Sequence, residues 1–375
     1  MRRDGVSMTR RLVIAAAAVA LLSFPAYSWM AMAREPSSLP MSIRTIEWIR
    51  DNSGGWFVDA VENVWFTVTA PLPGGPGPLW MPRVGASAVP ASLQRSGTSG
   101  LPERIAPVIG SGLPDEGVWK ATTGSTSTPS LLVTTFRPDS AYPRQVAYVA
   151  WIDASRTQIA LYPGRREPPN AVPRGPMKVP VAERKRLLAT FNSGFKYKDC
   201  KGGFVADGVI YKPLVKGQGT LLAYADGRVD VVDWQGGSLG PDILVARQNC
   251  PLIVDNGRSN ARLDRINLWG TMTRVWRSAV GVDARGNLIY VAAPGQTAST
   301  LAKALIHVGA VRAIQLDIHS IWPSFNTYAR PGASGASDLV PNTQQKATRY
   351  LSPDDRDFFA VYLRQSAQDM AALNR

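Results

Sequence analysis

Hydrophobic and polar positions follow three textures along the chain. The first is residues 12–33, a run of 22 without a charged side chain, with Arg2, Arg3, Arg10 and Arg11 ahead of it. At a rise of about 1.5 Å per residue, a helix of that length reaches about 30 Å, enough for a bilayer core. The second texture has helical spacing: Ile43, Ile46 and Ile49, a break at Asn52-Ser53-Gly54-Gly55, then Val58, Val61, Val64 and Trp65. It predicts two short amphipathic helices over 42–67. With Trp48, Trp56 and Phe66 they suit a membrane surface or the side of the folded body equally well. The third texture starts near Gly117 and predicts strands over 130–136, 145–152, 158–162, 187–191, 204–212, 220–225, 228–233, 243–246, 277–283, 288–293 and 313–317. Asp226-Gly227 and Arg285-Gly286 read as hairpin turns.

Two helices complete the pattern. One covers 297–308, with Leu301, Ala304, Leu305 and Val308 on one face and Gly309 at its C-terminal cap. A tail helix is expected over 353–373, with Asp354 and Asp355 favourably placed in its first turn. Residues 70–115 have linker composition, beginning Ala70-Pro71-Leu72-Pro73-Gly74-Gly75-Pro76. The expected organisation is a signal-anchor or signal peptide (1–33), an amphipathic juxtamembrane segment (34–69), a linker (70–115) and a sheet-dominated α+β domain (116–375). Ala31-Met32-Ala33 is a small-x-small site, so the first segment reads either as an uncleaved single-pass anchor or as a cleaved signal. Both readings place the rest of the chain outside the cytoplasm.

Composition narrows the partners. The chain carries a net charge of +14, and beyond residue 33 there remain 38 basic against 27 acidic side chains, or +11. A basic protein that leaves the cytoplasm has little access to nucleic acid. Anionic envelope polymers, phosphate-bearing glycans and acidic lipid headgroups fit the location. The only two cysteines, Cys200 and Cys250, form a disulfide candidate in an exported chain, with two buried thiols as the alternative.

Candidate chemistry rests on few residues. The two histidines are His307, inside the core helix, and His319, in Asp317-Ile318-His319-Ser320. A histidine-rich metal site is excluded; an Asp317/His319 pair could hold a divalent metal but has no further ligand at close spacing, so no cofactor is expected. No glutamate follows Glu183, so an acid or base within the later strands must be an aspartate: Asp207, Asp255, Asp283 or Asp317. Glycosidic cleavage needs one carboxyl for the leaving group and one for water or the anomeric carbon. A phosphate leaving group has less need of an acid and more of an arginine.

Three segments stand out in order: Phe191-Asn192-Ser193-Gly194-Phe195 after a strand, Arg277-Ser278-Ala279-Val280-Gly281 within one, and Gly309 to Asp317, a strand ending in an acid. Together they resemble the phosphodiester glycosidase family, with its Asn-Gly-Gly-Phe-Phe-like segment, Arg-x-Ala-x-Gly strand and Asp-Gly-Gly-Gly-Ser ending. Asn192, Gly194 and Phe195 match the first, Arg277, Ala279 and Gly281 the second, Asp317 and Ser320 the third. Ser193, Lys196, Ile318 and His319 depart from the pattern. The resemblance covers 185–365 and implies an exported hydrolase cleaving a sugar–phosphodiester or related glycosidic bond in an envelope glycan. Asp317 would be base or nucleophile, Arg277 would hold the anion, and Asn192, with Gly194 and Phe195, would bind sugar or the oxyanion. His319 and Ser320 would complete the pocket, with Trp322, Phe325 and Tyr328 as a stacking wall. The Ile318-His319 departure also admits a glycan-binding protein without catalysis, and Asp317 with His319 admits a metal-dependent phosphodiesterase.

Overall fold

The computed structural model describes residues 4–90, 100–122, 129–172, 174–263, 273–330, 334–341 and 344–364. The chain divides into two units, Met1–Thr67 and Val68–Arg375. In the first, α1 (Asp4–Arg34) is one helix containing Pro25. It is followed by α2 (Met41–Ile49), a π-helical turn (Arg50–Gly54) and α3 (Gly55–Val68). The break read at Asn52–Gly55 is therefore a widened helical turn rather than a loop. Among the described residues no helix is long and apolar enough to cross a membrane, so the expected anchor gains no support here.

The second unit is sheet-rich. Its strands are β1 (Ser87–Ala88), β2 (Lys120–Ala121), β3 (Leu131–Phe136), β4 (Ala147–Ile152), β5 (Thr157–Tyr162), β6 (Leu187–Asn192) and β7 (Phe204–Ala206). They continue with β8 (Val209–Lys212), β9 (Gly219–Tyr224), β10 (Val229–Asp233), β11 (Ile243–Gln248), β12 (Val254–Asp255) and β13 (Arg258–Ser259). The last six are β14 (Val275–Asp283), β15 (Leu288–Gln296), β16 (Ala310–Ile318), β17 (Phe325–Arg330), β18 (Ser334–Asp338) and β19 (Phe358–Leu363), with α4 (Ala298–His307) between β15 and β16. They form a nine-stranded sheet, β1-β2-β3-β4-β15-β14-β16-β12-β13, and two five-stranded sheets, β10-β9-β11-β7-β8 and β18-β17-β6-β19-β5. Every pairing among the described residues is antiparallel.

Both faces of the nine-stranded sheet are covered, which is why its strands read as continuous apolar runs. Leu288, Tyr290 and Ala292 of β15, with Ile314 and Leu316 of β16, meet Phe191, Phe325 and Phe359 of one small sheet and Leu221 and Val245 of the other. The alternate residues Ile289, Val291 and Ala313 pack under Leu301, Ala304 and Leu305 of α4. That helix starts as its sequence indicates: Thr297 and Thr300 form a reciprocal capping box, and Gly309 follows with φ 96°.

Two expectations are corrected. The run expected as one strand over 204–212 is a hairpin, because Asp207 (φ 50°) and Gly208 (φ 72°) turn the chain. The expected tail helix is instead β19, paired on one side with β6 and on the other with β5. Phe358 to Leu363 are six apolar residues in succession, as a strand buried on both faces requires, and the dipole argument from Asp354 and Asp355 misled. Residues 365–373 of that expectation, and 91–99 of the linker, lie outside the described residues.

Candidate active site

Asp317 is the penultimate residue of β16, in the interior of the nine-stranded sheet. Its neighbour β14 pairs Arg277 with Ile318 and Ala279 with Gln315, so a bulge sets Leu316 and Asp317 against the single Ser278. Such an extra residue re-aims a side chain: Leu316 joins the core, while Asp317 turns to a polar neighbourhood. The Asp317 amide donates to Ser278 Oγ (3.2 Å), and its carboxylate is only slightly exposed. Oδ1 accepts from the Ile318 amide (2.8 Å), and Oδ2 accepts from Arg356 Nη2 (2.8 Å).

Arg356 enters just before β19. The same Nη2 donates to Gly194 O (2.6 Å), and the guanidinium lies 4.6 Å from the Trp322 ring centre. Its backbone amide donates to Asp354 Oδ1 (2.9 Å), which Arg349 also holds, from Nη2, at 2.9 Å. A second buried pair lies alongside, Arg247 Nε with Asp357 Oδ2 at 2.8 Å. Arg247 Nη2 also donates to Phe195 O (2.8 Å). The loop after β6 thus offers successive carbonyls to two arginines.

That loop explains part of its own sequence. A Cβ on Gly194 would fall 2.9 Å from Asn249 Cγ and Oδ1, so only glycine fits against the Asn249 amide. Asn249 Oδ1 accepts from the Phe195 amide (3.0 Å), and its Nδ2 donates to Leu316 O (2.7 Å), tying loop to strand. Ser193, a departure from the glycine pattern, accepts from Arg247 Nε (3.1 Å). Cys200 and Cys250 are disulfide-bonded with Cα atoms 5.6 Å apart, and pack with Phe195 and Ile318.

One participant was invisible in the motif region. Glu167 comes from the loop after β5; its Oε2 accepts from the Tyr197 amide (3.0 Å) and its carboxyl is buried. Burial raises its pKa above the usual carboxylate range, and Asp357 adds to this, against the opposing pull of Arg356, Arg247 and the Tyr197 amide. The cluster therefore brings the carboxyls of Asp317, Asp354, Asp357 and Glu167 together with the paired Arg247, Arg349 and Arg356, and Glu167 is the carboxyl pushed toward its neutral form.

Residues 185–317 match the phosphodiester glycosidase family.

That segment, about a third of the chain, carries Asn192, Arg277 and Asp317 of the three motifs, and over it the chain is similar to that family. The match includes Asp317. Among solved structures, the zebrafish N-acetylglucosamine-1-phosphodiester alpha-N-acetylglucosaminidase catalytic domain, auto-inhibited by its pro-peptide, aligns at 17% identity with a TM-score of 0.38, covering 66% of this chain and 88% of its own. A hypothetical protein from Synechocystis aligns at 14% identity and TM-score 0.41, over 63% of this chain and 62% of its own. No curated protein matches the chain.

Within this site, Asn192 ends β6 with its amide engaged. Nδ2 donates to Ser278 Oγ (3.0 Å), and Oδ1 accepts from Tyr290 OH and the Ser324 amide (3.0 Å each). It therefore joins β6 to the strand that carries Ser278 beside Asp317. Arg277 is fully buried; Nε donates to Gln296 O (2.7 Å), Nη1 to Gln315 Oε1 (3.1 Å) and Nη2 to Thr273 O (2.8 Å). Burial pushes its guanidinium down to about 9. The arginine bonded to the Asp317 carboxylate is Arg356, which lay in the segment read as helix. His319 takes φ 70°, the left-handed backbone that glycine adopts without strain. The family's usual glycine thus has a conformational reason that His319 obeys at a cost. Ser320 is exposed beyond it.

The expected stacking wall is corrected. Trp322 lies beside Arg356, but Phe325 and Tyr328 are wholly buried. Phe325 stacks on Phe191 with centroids 5.7 Å apart, and Tyr328 OH meets Thr190 Oγ1 at 3.2 Å. They lie on β17, whose pairing with β6 turns them into core. Among the described residues no group of three or more His, Cys, Asp or Glu could hold a metal.

Proposed function

We propose that this protein is an exported glycosidase that hydrolyses a sugar–phosphodiester, or a related glycosidic bond, in an envelope or extracellular glycan. The observation that carries the reading is a coincidence. The segment that matches the phosphodiester glycosidase family contains Asp317, and Asp317 is also where the buried carboxylate–arginine network meets the sheet. In this reading Asp317 is the base or nucleophile at the anomeric carbon. Arg356 pairs with it and fixes its orientation. Glu167, favoured as a neutral acid by burial, gives its proton to leaving oxygens more basic than phosphate. Water adds across the cleaved C–O bond, its hydroxyl going to the sugar and its proton to the leaving group. Arg277, paired one residue from Asp317, supplies positive potential for the phosphate. Asn192 positions Ser278 and Asp317, and Gly194, Phe195, His319, Ser320 and Trp322 border the sugar.

Two observations support export: the charge-free run behind four arginines, and a disulfide, which persists in oxidising compartments. The run at 12–33 is the export signal in this reading. The non-catalytic alternative rested on Ile318 and His319. His319 adopts a left-handed backbone that glycine also takes, and Ile318 packs against the disulfide, which favours the catalytic reading.

The test is incubation of the oxidised protein with a panel of sugar-1-phosphodiesters and nucleotide sugars, followed by NMR for free reducing sugar. Catalytic release that survives chelation is the expected result. No release, with saturable glycan binding that weakens in salt, would make it a binding protein instead.

A further inference from the structure

The amphipathic character of α3 is inside out. At about 100° per residue, Trp56, Phe57, Val61, Val64 and Trp65 fall on one half of the helix, and Asp59 and Glu62 on the other. A helix of a globular protein buries the first set. Here the apolar half is exposed, Trp56 at 75% and Val64 at 65%, while the acidic half turns to Arg50. Arg50 pairs with Glu62 at 2.5 Å, Asp59 at 3.7 Å and Glu47 of α2 at 2.8 Å. The two carboxylates thus lie on the side of Arg50, Glu62 partly covered and Asp59 exposed, while the apolar side faces outward.

We propose that the exposed half of α3 is a lipid-binding surface, lying along the interfacial layer of a bilayer with its helix axis in the membrane plane. The chemistry of the face fits that partner: it has no charge, and its two tryptophans, at the two edges of the stripe, combine an apolar ring with an N–H as interfacial residues do. Its position fits as well. Trp29 Nε1 donates to Thr45 Oγ1 and Trp48 Nε1 to Ser28 Oγ, each at 3.1 Å, and Arg44 donates to Met32 O. These contacts fix α2 to the last turns of α1, at the end of the charge-free run, and α3 follows after one π-helical turn. The α1 helix itself exposes Leu12, Ile14 and Phe24. A second copy of the chain is a poorer occupant: half the surface of a helix about 21 Å long is about 300–400 Å², below the roughly 800 Å² per partner of a stable complex.

The experiment reconstitutes the full chain in phosphatidylcholine–phosphatidylglycerol vesicles containing lipids brominated near the headgroup or deep in the acyl chain. Trp fluorescence quenching is then compared with that of Trp56→Phe/Trp65→Phe, a conservative change at exposed positions. The expected result is stronger quenching by the shallow bromines, with about half of the quenched intensity lost in the double variant. Quenching equal in the two proteins would show that lipid reaches other tryptophans and would overturn the proposal. So would a concentration-dependent dimer that the double variant dissolves.

Discussion

Removal of the Arg356 side chain strips the Asp317 carboxylate of its cation. In Arg356→Ala that carboxylate, 5% exposed, keeps the Ile318 amide but loses the 2.8 Å bond from Nη2. Gly194 O loses its 2.6 Å donor, and Trp322 loses the guanidinium at its face. Breaking one member of a buried ion pair costs about 3–5 kcal/mol, a figure that already contains these hydrogen bonds and the ring contact. The second unit runs from Val68 to Arg375, and at about 2.1 cal/mol/K per residue its unfolding entropy is about 0.65 kcal/mol/K. A loss of about 4 kcal/mol therefore lowers its Tm by about 6 °C. Calorimetry of Arg356→Ala, Asp317→Asn and the double variant measures the coupling. The neutral amide introduced by Asp317→Asn needs no cation, so the arginine change should cost about 2 kcal/mol less in that background. Equal losses in both backgrounds would refute the pairing as the source of the effect.

Three further outcomes follow from the same site. Burial raises the Glu167 carboxyl, so the folded state holds its proton more tightly than the unfolded one. Stability should fall as pH rises from about 4.3 through the raised folded value, and Glu167→Gln should flatten that decline in Tm; a decline equally steep in the variant would contradict the assignment. The disulfide closes a separation of 50 residues, which corresponds to about 4 kcal/mol on the chain-entropy model. Cys200→Ser/Cys250→Ser should thus lose several degrees of Tm and, because the pair supports Phe195 and Ile318, lose turnover as well; full turnover would separate the bridge from the site. His319→Gly should stabilise by about 0.5–1 kcal/mol, the left-handed penalty less the entropy of glycine, and a lower denaturation midpoint would show that the imidazole contributes more than the backbone costs.

Much of the sheet was legible because its strands are buried on both faces and write themselves as unbroken apolar runs. The same property hid β19: six apolar residues after an aspartate-rich run satisfy a helix or a buried strand, and only the pairing with β5 and β6 decides. Asp317 was readable from its place at the end of an apolar strand, and Gly194 from its motif. Arg356 and Glu167 were not. Each lies in a loop outside the motif-bearing strands, and long-range packing brings them to the loop after β6. A weak signal was present in Asp354-Asp355-Arg356-Asp357, since a dense charge run directly before an apolar strand marks a buried ionic cluster at least as well as a helix start. Phe325 and Tyr328 failed in the opposite way: aromatic residues near a site are core when their strand pairs centrally.

In the proposed reaction the Asp317 carboxylate is the group that acts on the sugar. The most direct measurement is NMR-monitored hydrolysis of a sugar-1-phosphodiester by wild-type protein and Asp317→Asn, with folding of both verified by calorimetry. Loss of at least about a hundredfold in kcat, with the variant still folded, is the predicted result. Equal turnover by the two proteins would contradict it.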